Sequence, residues 1–158
     1  MAATLTRGGC WPSGEQTDPT NVVIWSGEDD PEDTLAGRLI ASGADMSRVF
    51  FVQRVLTRGE RCAFDPATDM DLLLTRIQRV GNVGMAMIDP LVSAVAGDSH
   101  KNGEVRRALQ PLVDLAQLTK TAVVGISHFA KSSNGRDPVE RVVGSLAFGA
   151  LARIVMAA

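Results

Sequence analysis

Five short runs in this chain are almost continuously apolar and β-branched or aromatic, and longer patterns of helical period separate most of them. The runs are Asn21 to Ser26, Arg48 to Val55, Met85 to Asp89, Thr121 to Ser127 and Leu151 to Ala157. Strands that are apolar on both faces belong inside a sheet covered on both sides, and a crossover helix must span each parallel pair. The pattern therefore predicts an α/β fold, a parallel sheet layered between helices. At 158 residues, 45% of them hydrophobic, the chain has material for one domain with a real core.

The intervening segments carry helix signals. Asp30-Pro31-Glu32-Asp33 reads as a helix start, with an aspartate cap, proline at the first position and acids in the first turn. Leu35, Leu39 and Ile40 would form its apolar face and Gly43 its stop. After a loop holding Phe64-Asp65-Pro66, Asp69 can cap a helix through Leu72, Leu73, Ile77 and Val80 to Gly81. A longer helix is expected from Asn102 to Thr119, with Val105, Leu109, Leu112, Val113, Leu115 and Ala116 largely on one side.

Composition narrows the partners. Sixteen basic residues against 18 acidic ones give no overall field to hold nucleic acid or membrane. Cys10 and Cys62 stand alone, without metal-ligand spacing, which fits reduced thiols in a cytoplasm. No run approaches the roughly 20 apolar residues of a spanning helix, and Met1 to Gly14 lacks a signal peptide's apolar core. A cytoplasmic protein with no membrane partner is expected.

In open α/β sheets the reactive loops gather at the C-terminal strand ends. Three runs end in chemistry: Glu28, Asp29 and Asp30 after the first; Asp89 after the third; Ser127, His128 and Lys131 after the fourth. A carboxylate at Glu28, following a glycine that permits a tight turn, can orient and deprotonate a water. Asp29 and Asp30 can equally cap the next helix. Asp89 suits a divalent metal, or serves as a turn former before Pro90. His128 is open to a structural hydrogen-bonding role or to phosphate sensing, the latter favoured by Ser127 and Lys131 beside it. His100, Lys101, Arg106 and Arg107 form a small basic group that reads as a solvated helix face or as a contact for DNA phosphates.

Four segments in order, Trp25-Ser26-Gly27-Glu28-Asp29-Asp30-Pro31, Ile88-Asp89-Pro90-Leu91-Val92-Ser93-Ala94-Val95 with Gly97-Asp98-Ser99-His100-Lys101-Asn102, Ser127-His128-Phe129-Ala130-Lys131 and Gly144-Ser145-Leu146-Ala147-Phe148-Gly149-Ala150-Leu151-Ala152-Arg153, resemble the RecA-like AAA-family ATPases, and among them the RepA-type replicative helicase group. The resemblance implies ATP with Mg²⁺ as cofactors, Glu28 as the base that polarises water and Asp89 as the acid that binds Mg²⁺ through water. It implies His128 as sensor of the γ-phosphate, with Ser127 and Lys131 on the nucleotide. Arg153 resembles an arginine finger given to a neighbouring subunit, and Gly144-Ser145 a loop facing a central channel or that neighbour. It further implies a ring-forming homo-oligomer such as a hexamer in DNA replication, with single-stranded DNA as a possible partner.

One part of the family pattern is absent. No G-x-x-x-x-G-K-[ST] occurs in the 158 residues, although its backbone amides and lysine carry most of the binding of a triphosphate. Residues 1–20 then resemble the tail of the helix after that loop with its exit segment, and 21–158 the core of a partial ATPase domain. The chain alone is expected to bind nucleotide very weakly. The loop's strand would lie between the Thr121 to Ser127 and Leu151 to Ala157 strands, so bare apolar edges are expected. Two readings stay open: an ATPase domain whose phosphate loop lies upstream, and a non-catalytic, degenerate module kept for subunit contact or regulation.

Overall fold

The computed structural model describes residues 1–57, 59–128 and 146–156. Its centre is a four-stranded sheet of β1 (Asn21–Ser26), β2 (Val49–Phe51), β5 (Val83–Asp89) and β6 (Ala122–Gly125), in the order β2-β1-β5-β6. All three pairings are parallel. A second, antiparallel pair is made by β3 (Arg54–Thr57) and β4 (Glu60–Ala63).

The alternation of side chains along a strand divides the core into two layers. From β1, Val23 and Trp25 face one side and Val22 and Ile24 the other. The first layer is closed by α3 (Met70–Val80), α4 (Asn102–Thr119) and α5 (Ala147–Leu151), which bury Leu73, Ile77, Val105, Leu109, Leu112 and Phe148. Each such side chain is worth about 1.5–3 kcal/mol when fully removed from water. The second layer is thinner. It is covered by α1 (Ala2–Arg7) and by α2 (Ala36–Ala41), where Leu39, with Leu35 just before the helix, packs against the cluster that holds Ile24 and Met85. Helices on both faces of a parallel sheet make the three-layer α/β, RecA-like arrangement expected from the sequence.

Local signals explain most boundaries. Asp30 Oδ1 accepts from the N–H of Glu32 at 2.8 Å and of Asp33 at 2.9 Å, capping a π-helical turn (Pro31–Leu35) that leads into α2. Gly43, at φ 83, ends that segment. Ile40 is 62% exposed and does not share the buried face with Leu35 and Leu39. At α3 the Asp69 carboxylate accepts from Asp65 N–H at 2.9 Å and does not cap the helix. The α4 span matches the one read from its periodicity. Glu104 Oε2 accepts from the N–H of Asp98 at 2.8 Å and its Oε1 lies 3.2 Å from Lys101 Nζ. The Asp98 amide, with Lys101, holds the Glu104 carboxyl below its usual range and the pairing raises Lys101.

Two expected strands differ. The run Arg48 to Val55 is not one strand: Val52 N–H still reaches Ile24 O at 2.8 Å, but the chain then leaves the sheet for the β3–β4 hairpin, turning at Gly59. The run Leu151 to Ala157 is not a strand over its described residues. Leu151 closes α5, whose Ala147 and Phe148 are buried, and beyond it Ile154 and Met156 are 77% and 64% exposed and pair with no described strand. Among the described residues nothing pairs with the outer edge of β6. No helix of the described chain is long and apolar enough to cross a membrane.

Candidate functional site at the strand ends

Three adjacent strands, β1, β5 and β6, run parallel and end on the same side of the domain. Sheet order therefore brings residues 28, 89 and 128 together although each lies in a different third of the chain. Ser26 and Asp89 are register partners, and Gly27 N–H donates to Asp89 O at 2.7 Å. The β1 ladder thus continues one residue past the strand and fixes where the following turn begins.

Out of that turn Glu28 reaches His128. Its Oε2 lies 3.2 Å from His128 Nε2, where an Nε2–H donates to the carboxylate. Both side chains are more than half exposed, at 52% and 65%, so the pair faces solvent and a ligand can approach it. Asp89 sits deeper. Burial, and then the negative charge of Glu28, raise its carboxyl above the usual range; Asp29 adds to this and His128 opposes it. Its buried Oδ1 has no hydrogen-bond partner.

A buried carboxylate oxygen without a donor, among other acids, is a group whose charge asks for a cation. Among the described residues no three His, Cys, Asp or Glu side chains converge to cage a metal. A single carboxylate such as Asp89 suits an ion that keeps most of its waters and takes phosphate oxygens as well, which is how Mg²⁺ is commonly bound with nucleotides.

Ser26, Arg38 and Asp89 line one cleft of about 140 Å³, whose apolar walls include Ile24, Leu35 and Met87. Arg38 Nη1 pairs with Asp29 Oδ2 at 2.8 Å, so the acid beside Glu28 is drawn toward α2. Gly27 plays a different part from the one its residue type suggests. Its φ is not in the left-handed region; a Cβ there would lie 2.8 Å from Trp25 Cη2. Ser26 and Arg38 escaped the sequence reading because a strand-end serine and a helix arginine are common, and only register and cleft geometry single them out.

The remaining sequence candidates divide. Ser127 follows β6 and is exposed, at the same edge as His128. Lys131 and the Gly144-Ser145 loop lie outside the described residues. Arg153 is exposed, two residues after α5, and among the described residues makes no hydrogen bond or ion pair with Glu28, Asp89 or His128. Of the basic group, Lys101 is engaged by Asp98 and Glu104, and Arg107 Nε donates to Gly103 O at 3.2 Å, so these two also serve the start of α4.

Comparison with known proteins adds one match. The model of a protein family described as an AAA domain matches residues 1–134, which span β1 to β6 and all three strand ends of the site. No curated protein matches the chain.

Proposed function

Since the chain belongs to the AAA domain family, we propose that the three strand ends form the metal and water half of a Mg²⁺-ATP hydrolysis site. The observation that carries the reading is the Glu28–His128 contact at 3.2 Å beside the unpartnered Asp89 carboxylate. Families with an AAA domain generally bind ATP with Mg²⁺, and the residues here suit that ligand.

In this reading Asp89 holds the ion through its water shell. Bound Mg²⁺ would neutralise charge on the transferring phosphoryl group. Glu28 orients an attacking water and accepts its proton, a role for which an exposed carboxylate beside the metal acid is suited. His128 offers an Nε2–H that a γ-phosphate oxygen would take in place of Glu28, which frees the carboxylate when nucleotide arrives. Ser127 and Lys131 add phosphate contacts, and Arg153, exposed and unpaired among the described residues, is given to a neighbouring subunit's nucleotide. A RepA-type helicase ring acting on single-stranded DNA in the cytoplasm is the specific form of this proposal.

The phosphates need a cradle from elsewhere, because the 158 residues hold no G-x-x-x-x-G-K-[ST]. A second reading, a non-catalytic module acting through subunit contact, is favoured by the outer edge of β6, which is unpaired among the described residues. The two readings separate in a titration of Mn²⁺ with ATP on the chain fused upstream to a strand, G-x-x-x-x-G-K-[ST] loop and helix, followed by paramagnetic broadening of amide signals around Asp89. The ATPase reading expects broadening that requires ATP and disappears in Asp89→Asn. Broadening that is absent, or equal in both proteins, favours the non-catalytic module.

A further inference from the structure

The turn after β1 carries Glu28, yet no helix or sheet holds it. Three consecutive amides leave the strand there: Gly27 N–H goes to Asp89 O at 2.7 Å, while Asp29 N–H and Glu28 N–H both go to Ser26 Oγ, at 3.0 and 3.4 Å. Ser26 is itself the register partner of Asp89. Every donor in the turn is therefore referred to the same two residues, Ser26 and Asp89. Through them the position of Glu28 is set relative to the metal-binding carboxylate.

We infer that Ser26 is a positioning residue that couples Glu28 to Asp89 and holds the Glu28 carboxylate within reach of His128. The inference rests on the reading of Glu28 as the water-orienting group, but its test reads geometry and needs no hydrolysis. A hydroxyl oxygen has two lone pairs, and the two amides use both. Ser26 also lines the cleft that Asp89 lines. Removing the oxygen leaves two adjacent amides to water, and the turn is then tied down by the Gly27–Asp89 bond and by the exposed Arg38–Asp29 pair, a kind of ion pair worth little on its own. Reacting groups need placement to within about 1 Å, a misplacement of that size costing roughly 10²-fold in rate. A loosened turn therefore matters to the site more than to the fold.

The chain holds only two histidines, His100 and His128, so ¹⁵N-histidine labelling of the full chain gives two sets of ring signals, assigned with His128→Gln. At about pH 8.5, two units above the ordinary histidine range, an Nε2–H given to Glu28 biases the tautomer of His128 and its ring shifts report that bias. Glu28→Gln defines the signal of a broken contact. Ser26→Ala is expected to move the His128 signals at least about halfway to that position, with His100 unmoved, and Ser26→Thr, which keeps the acceptor oxygen, to restore them. Should Ser26→Ala not fold, Ser26→Cys keeps the volume with a weak acceptor and is expected to move the signals in the same direction. His128 signals unchanged in the Ser26 variants while Glu28→Gln moves them would overturn the inference. So would an absence of any change in Glu28→Gln. An inactive ATPase would leave these signals as they are, so the two readings fail separately.

Discussion

Glu28 and His128 stand 100 residues apart in the chain and 3.2 Å apart in the fold. The contact exists because β1 and β6 both flank β5 and all three run in one direction, so each loop leaves the sheet on the same side. Between them lies Asp89, pushed toward its protonated form by burial and by the charge of Glu28.

Asp89 should cost the metal-free protein stability. Its folded-state carboxyl titrates above the unfolded value, so its favourable contribution is complete below the unfolded range near 3.8 and is lost as pH rises through the folded range. Asp89→Asn, which cannot ionise, is expected to melt above wild type at pH 7. The difference should shrink as pH falls toward 3.8, and added Mg²⁺ should raise wild type alone. Thermal scans across this range check it; an Asn variant less stable at pH 7 would contradict the burial argument.

Gly27→Ala places a methyl group 2.8 Å from the Trp25 ring, which is 8% exposed and packed tilted on Phe64 with ring centroids 6.1 Å apart. The ring must shift within a filled layer, at a cost of about 1–3 kcal/mol. Urea titration followed by tryptophan emission should show an earlier midpoint and an altered native spectrum. An unchanged midpoint would mean that the ring has room to move.

Asp30 holds the start of its helical segment through two amides, Glu32 and Asp33. Asp30→Ala is expected to lose about 1 kcal/mol, seen as a drop in melting temperature of about 2–4 °C for a chain of this size. Asp30→Ser, which keeps a cap, should recover most of it. A drop of the same size in Asp30→Ser would assign the effect to charge.

The parallel sheet was readable because its strands are buried on both faces, and a run such as Val22 to Trp25 has few other ways to fold. The α4 boundaries were readable from the spacing of Val105, Leu109, Leu112 and Leu115. The β3–β4 hairpin was not: Val52 and Val55 look like one strand, and only the depth of the sheet decides that pairing stops after Val52. Leu151 to Met156 misled in the opposite way: Leu151 closes α5 and the residues after it pair with no described strand, although the outer edge of β6 is unpaired among the described residues. At the site, strand-end position pointed to Glu28, Asp89 and His128. It missed Ser26, whose part depends on two amide bonds and a register partner that no local pattern encodes.

The most direct test is Mg²⁺-ATP hydrolysis by the chain fused upstream to a strand, G-x-x-x-x-G-K-[ST] loop and helix, compared with the same protein carrying Glu28→Gln. If Glu28 handles the water, kcat falls by about 10² or more, while nucleotide affinity changes by no more than about twofold because the lost interaction belongs to the transition state. Equal rates in the two proteins, or no hydrolysis by the fused chain beyond that of the unfused one, would contradict the assignment of the strand ends as an ATPase site.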